Sequence, residues 1–395
     1  MTFLQILRRE WGILWKGRFP VAPILFLLPL AFTLAFGIIY YQNSVERIPL
    51  IICDEEQSPV SRTVIQAYSD SEKFSITGEV YHAEDMTDAL QSGSAIAALY
   101  IPADLSKKIK TGDPIDLLIL VDSANNMFGN AAMTDANEIN KTLAVGIASQ
   151  LLEAGNQLPQ AAMSMAYPVR MGIRIINNPT TGYSPFMLAG LTMNGLQIAI
   201  MLVLCPLVAR EFHHRVYQKQ VPSWKIIAAK ILPVWGLSVL SFFVSLIFLH
   251  TCFAIPVRGS FFDLGLIMAV FTLTVSCIMT LFAVCSPDEV MSLQEPLLYI
   301  MPGLLYSGLS WPDFYMNQLA EVIAFIFPMR HGADVVRNLL LSGYAPALYS
   351  QCLQMLLMGG LCLLLAWGVF IVRRRYGTVN LIHHVFRREK GEMTL

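Results

Sequence analysis

The residues able to do chemistry in this 395-residue chain are ionisable groups set beside or inside long apolar runs. Near the start stand Arg8, Arg9 and Trp11. Arg210, Glu211 and Arg215 follow a later apolar run, with Lys230 further on. Gln197, His250, Glu295, Asp334 and Arg337 lie within or at the mouths of such runs. An ionisable or strongly polar group at membrane depth points to function by default, so these five are candidates for lining a path across a bilayer. Arg330, His331, Asp334 and Arg337 also stand at the i,i+3 and i,i+4 spacings that pair along one helix, and a structural role there competes with a functional one. Nothing in the spacing offers catalysis. No Ser/His/Asp or Cys/His constellation stands out, and no G-x-x-x-x-G-K-[ST] loop is present to cradle nucleotide phosphates. There is no CxxC pair, and the adjacent His213 and His214 lack further ligands, so no metal site is expected.

The elements that position these groups are membrane elements. Hydrophobic residues make up 55% of the chain and charged residues 14%, well below the usual quarter for soluble domains. The near-zero net charge hides a split. Residues 42–182 carry 17 Asp/Glu against 9 Lys/Arg, and the remainder carries 11 against 18. An acidic, water-facing insert joined to a membrane part with basic edges follows. No basic stripe marks the insert, so nucleic acid is not an expected partner.

Residues 1–18 read as an amphipathic helix, with Phe3, Ile6, Leu7, Trp11, Leu14 and Trp15 on one face and Gln5, Arg8, Arg9 and Lys16 on the other. Residues 19–41 form a first span. Within the insert, strand-like runs at 48–53, 74–81, 95–101 and 115–121 alternate with helical stretches at 59–68, 83–91 and 104–110, which predicts a small α/β domain. A long helix over 124–157 and a return strand at 169–176 complete it. Further spans are expected at 183–208, 231–255, 261–285, 296–309 and 350–372. The fifth is too short to cross about 30 Å comfortably, and a re-entrant segment is expected between it and the sixth. The predicted class is an α-helical polytopic membrane protein with six transmembrane helices and an inserted α/β extracytoplasmic domain. Residues 373–395 form a basic tail. With both termini inside, 15 basic residues face the cytoplasm against Arg258, Arg330 and Arg337 outside, which places the insert outside the cell.

Several stretches resemble the ABC type-two permeases, the membrane subunits of ATP-binding-cassette exporters, in the branch with a large outside domain after the first span. In the insert these are Ile48 to Ser58 (IPLIICDEEQS), Ala97 to Leu105 (AALYIPADL), Gly112 and Val121-Asp122-Ser123, and then Asn178-Pro179 ahead of the second span. Arg210-Glu211 with Pro222-Ser223 and Lys230 resembles the family's cytoplasmic loop, although Arg215-Val216-Tyr217-Gln218 stands where a Gly-Thr pair is usual. Ser307 to Pro312 (SGLSWP), Phe327-Pro328-Met329, Arg337 and Gly343 resemble the segment after the fifth span. The fragments keep their order over nearly the full length.

The resemblance implies a permease without its own ATPase, paired with a second permease copy or paralogue in a bacterial cytoplasmic membrane. Separate cassette ATPases would dock inside, bind the ATP and drive efflux, with no cofactor on this chain. Arg8, Arg9, Trp11, Arg210, Glu211, Arg215 and Lys230 are then the candidate ATPase contacts. Apolar spans with few charges suit amphipathic, drug-like or lipid-like cargo. Two other functions remain open: a mechanical transducer that works a periplasmic adaptor, and a non-transporting membrane receptor.

Overall fold

The computed structural model describes residues 2–16, 20–41, 45–111, 113, 116–154, 176–178, 182–214, 217, 221–311 and 315–376. It divides into two compact units, Met1–Asn43 with Ile175–Leu395, and Ser44–Arg174.

The second unit is built on β1 (Ile48–Asp54), whose alternating side chains feed two faces. Strands β2 (Phe74–Val80), β3 (Ala97–Ile101) and β4 (Leu118–Val121) complete a sheet of order β2-β1-β3-β4. β1 runs parallel to β2 and β3, and β4 is antiparallel to β3. Ile48, Leu50, Ile52, Ala97, Leu99 and Ile101 pack on one side with residues of α3 (Pro59–Ser69), α5 (Leu105–Thr111) and α6 (Asn126–Ala154). Cys53 and Ala98 pack on the other with Met86 of α4 (Ala83–Gln91). Ser58 caps α3, accepting from the Val60 and Ser61 N–H groups at 3.1 Å, while Ser61 Oγ accepts from the Ser58 N–H at 2.9 Å. The α/β rhythm expected for this stretch is present. The return strand at 169–176 lies, apart from Ile176, outside the described residues.

The first unit is helical: α1 (Phe3–Lys16), α2 (Ile24–Ile39), α7 (Tyr183–His214), α8 (Ser223–Phe253), α9 (Phe261–Cys285), α10 (Met291–Leu305), α11 (Gln318–Ala324), α12 (Pro328–Leu341) and α13 (Leu348–Tyr376). Among the described residues four stretches are long and apolar enough to cross a bilayer: Tyr183–Phe212, Ser223–Phe253, Phe261–Cys285 and Leu348–Arg375. α2, with 16 residues, and α10, with 15, are shorter than the roughly 20 a crossing needs. Among the described residues four of the six expected crossings therefore have full length.

Pro29 inside α2 is tolerated because a neighbouring helix repairs the backbone. Pro29 cannot donate to the Leu25 carbonyl one turn back, and Ser241 Oγ of α8 donates there at 2.5 Å. Buried hydroxyls and an indole tie other helices together. Thr33 meets Thr192 at 2.7 Å, Trp235 Nε1 donates to Ala269 O at 2.8 Å, and Thr274 Oγ1 donates to Met355 O at 2.9 Å. The junction of α11 and α12 turns back against the middle of α10. There Tyr299 Oη donates to Ile326 O at 2.5 Å, and the Phe327 ring lies 5.1 Å from that of Tyr299.

The bundle has two chemically different ends. At one, Ser184 Oγ donates to Tyr40 O at 2.6 Å, so α2 ends where α7 begins. At the other, α1 meets α8 and Tyr217 of the α7–α8 turn, and the end of α13 meets the α9–α10 turn. One expectation is corrected here. Lys230, expected in a polar loop, lies inside α8, because the helix starts directly after Pro222. Along α1 the buried line is Ile6, Glu10 and Leu14, where it packs on α8, and Trp11 and Trp15 of its apolar face are exposed.

Candidate functional site

Glu10 is the residue that makes this end unusual. It sits one helical turn from both Ile6 and Leu14, on the apolar stripe, and is fully buried. A buried carboxylate requires a partner, and Lys230 Nζ donates to Glu10 Oε1 at 3.1 Å with only 2% of the lysine exposed. The same ammonium donates to Leu207 O of α7 at 3.0 Å. Tyr217 Oη donates to the same Glu10 oxygen at 2.7 Å. Glu10 Oε2 has no hydrogen-bond partner among the described residues.

Tyr217 acts as a staple between four helices. Its hydroxyl reaches α1, and its N–H donates to Glu211 Oε1 of α7 at 3.2 Å. Its carbonyl accepts from Arg374 Nη2 of α13 at 3.4 Å, and the Lys230 ammonium of α8 lies 5.9 Å from its ring centre. The Arg9 guanidinium stands over the ring, 5.0 Å from its centre. Burial, and then the bond to Glu10, push the phenol well above its ordinary value. Tyr217 therefore stays a neutral donor throughout the physiological range. Glu211 is 3% exposed, and its Oε2 also lacks a partner among the described residues.

The turn between α9 and α10 is gripped from α13. Arg373 Nη1 donates to Val284 O at 2.7 Å and to Ser286 O at 2.6 Å, and its guanidinium lies 4.2 Å from the centre of the Phe212 ring. Arg210 Nε pairs with Glu289 at 3.0 Å, and Ser286 Oγ donates to Glu295. Helices α1, α7, α8, α9, α10 and α13 are thus joined at one level by charges and carbonyls.

A sequence profile described as ABC-2 family transporter protein matches residues 23–367. The chain belongs to that family. Two relatives from Escherichia coli, in strain K12 and in O157:H7, are each 23% identical over 327 residues, covering 82% of this chain and 83% of theirs. Both carry the name probable multidrug ABC transporter permease YbhR. The ABC-2 assignment makes this a membrane-spanning permease subunit, and it implies an ATPase on a partner chain and usually a second permease.

In this ABC-2 permease the sequence candidates for ATPase contact fall into two sets. Arg8, Arg9, Trp11 and Arg210 are exposed, whereas Glu211 and Lys230 are buried and act on the fold of the exposed surface. Arg215 lies outside the described residues. The path candidates are not brought together. Gln197 is buried in α7 and donates to Asn194 Oδ1 at 3.0 Å. His250 Nδ1 meets Ile255 O at 2.9 Å, closing the left-handed turn at Ala254. Glu295 is held by Ser286 at the staple end. Asp334 pairs with Arg337 on α12, whose guanidinium lies 4.5 Å from the Phe186 ring centre, and Asn338 Nδ2 donates to Asp334 at 3.1 Å. His331 bonds instead to Gln351 at 2.6 Å and Phe325 O at 2.9 Å. Among the described residues no group of three or more His, Cys, Asp or Glu could hold a metal ion.

Sequence reasoning missed Glu10, Tyr217, Arg373 and Arg374. The available signal was Glu10: a lone acid on an apolar helical stripe requires a buried cation elsewhere.

Proposed function

We propose that this permease carries its substrate outward across the cytoplasmic membrane, driven by cassette ATPases seated on the exposed face of α1 and the α7–α8 turn. Both termini are then cytoplasmic, and the α/β unit lies outside, where it is free to meet a periplasmic adaptor. The observation that supports this most is the Glu10–Lys230–Tyr217 staple. It fixes α1 as a stiff lever on the bundle, with Arg8 and Trp11 left pointing outward. A receptor has no need of such a lever. Excess basic residues on this end fit the cytoplasmic side. The apolar bundle, together with the multidrug designation of the relatives, supports an amphipathic or drug-like cargo. The test is ATPase stimulation in proteoliposomes containing the permease and its ATPase. Arg8→Glu with Trp11→Ala is expected to abolish substrate-stimulated turnover while leaving the permease's own unfolding midpoint unchanged. Full stimulation by that variant would refute the proposed seat.

A further inference from the structure

We propose that a groove between α8 and α13 seats one anionic phospholipid, with an acyl chain along the groove and the phosphate at Lys225. The groove has a volume of about 460 Å³. Trp224, Ala228 and Leu232 form one wall, Leu364 and Trp367 the other, and Leu273 of α9 the floor. The α8 wall rises one turn at a time from Trp224 to Leu232, about 12 Å at 1.5 Å per residue. That is most of the roughly 15 Å of hydrocarbon in one leaflet. Small Ala228 between the larger residues is what opens the space.

The rim decides which lipid. Trp224 is the second residue of α8, at its staple end, where aromatic residues stand at a membrane interface. Lys225 Nζ lies 5.6 Å from the Trp224 ring centre. Arg374, two turns beyond Trp367 on the same face of α13, donates to Val221 O at 2.5 Å just before α8 begins. No Asp or Glu occurs in residues 218–232 or 363–376. A phosphate with net negative charge finds the Lys225 ammonium there, while a zwitterionic headgroup brings its own ammonium against it. Trp224 also stacks on Phe3 of α1, with ring centres 6.3 Å apart. The lipid therefore touches a residue that also holds α1, so its occupancy steadies the start of that helix.

The test offers dioleoyl phosphatidylglycerol or dioleoyl phosphatidylcholine to the full chain in detergent and counts retained lipids by native mass spectrometry. Wild type is expected to keep one phosphatidylglycerol about fivefold or more tighter than phosphatidylcholine, the weight of a basic side chain at an anionic surface. Lys225→Gln is expected to bring the two lipids to similar affinity. Ala228→Trp, which plugs the groove, is expected to remove the tight lipid. Leu232→Trp, at an already exposed position, serves the same purpose if Ala228→Trp misfolds. Equal retention of the two lipids by wild type, or tight phosphatidylglycerol in both plugged variants, overturns the proposal. So does a chain dimer that the plug dissolves, because a second copy would then be the occupant.

Discussion

Replacing Lys230 by Met tests whether the staple holds α1. At 3.1 Å the Glu10–Lys230 attraction is about 5 kcal/mol with an effective dielectric near 20. Desolvating two fully buried ions takes back several kcal/mol for each, so the intact pair adds little net stability. Breaking it is another matter. Lys230→Met leaves Glu10 buried with only the Tyr217 hydroxyl, and the expected loss is about 3–5 kcal/mol. Glu10→Met strands the ammonium on the Leu207 carbonyl, with a loss of similar size. The double variant leaves no uncompensated charge and is expected to lose at least about 3 kcal/mol less than the sum of the singles. Unfolding of the full chain in mixed micelles measures all three. Trypsin cleavage at Arg8 and Arg9 reads the local consequence, with Lys230→Met expected to speed it by about a hundredfold if α1 opens rapidly and reversibly. Losses that add to within about 0.5 kcal/mol would refute the coupling. Unchanged trypsin resistance in Lys230→Met would show that α1 is held by its apolar contacts alone.

Three further outcomes follow from the packing. A Cβ on Gly259 would lie 2.7 Å from the Leu339 carbonyl oxygen, beside the bond from Arg258 N to Leu340 O at 3.2 Å. Gly259→Ala should therefore lower stability by about 1–3 kcal/mol, seen as a lower unfolding midpoint. Ser241→Ala removes the donor to the Leu25 carbonyl freed by Pro29 and should cost about 1 kcal/mol, whereas Ser241→Thr should keep most of it. Asp135 on α6 has its carboxyl pushed above the usual range, first by burial, with Lys73 opposing. A raised value means its favourable contribution is complete below the unfolded carboxylate range and is lost as pH rises through the folded value. Asp135→Asn should accordingly stabilise the chain at pH 7 and make no difference below about pH 4, as thermal scans at the two pH values would show.

The parts of this protein set by one-dimensional pattern were legible in the sequence. The strand-like run from Ile48 to Cys53 announced β1, and the apolar runs after Tyr183 announced the long helices. What escaped depended on pairing across the chain. Glu10 and Lys230 are 220 positions apart, and each alone reads as a surface charge. Lys230 looked like loop because a lone lysine normally ends an apolar run, and only Glu10 and the Leu207 carbonyl make it tolerable inside α8. The apolar face read for α1 held Ile6 and Leu14 but not Glu10, which lies between them on the packed line. The pairing of Asp334 with Arg337 followed from helical spacing, while the contacts of His331 came from Gln351 and Phe325, outside its own helix.

The account rests on the staple end of the bundle facing the compartment that holds ATP. A membrane-impermeant maleimide applied to intact cells tests this most directly, in a background where exposed Cys252 and Cys285 are replaced by Ser. Cysteine in place of exposed Arg8 should label only after the membrane is opened, and cysteine in place of Thr77 on β2 should label at once. Labelling of Arg8→Cys in intact cells, with Thr77→Cys protected, would contradict the account.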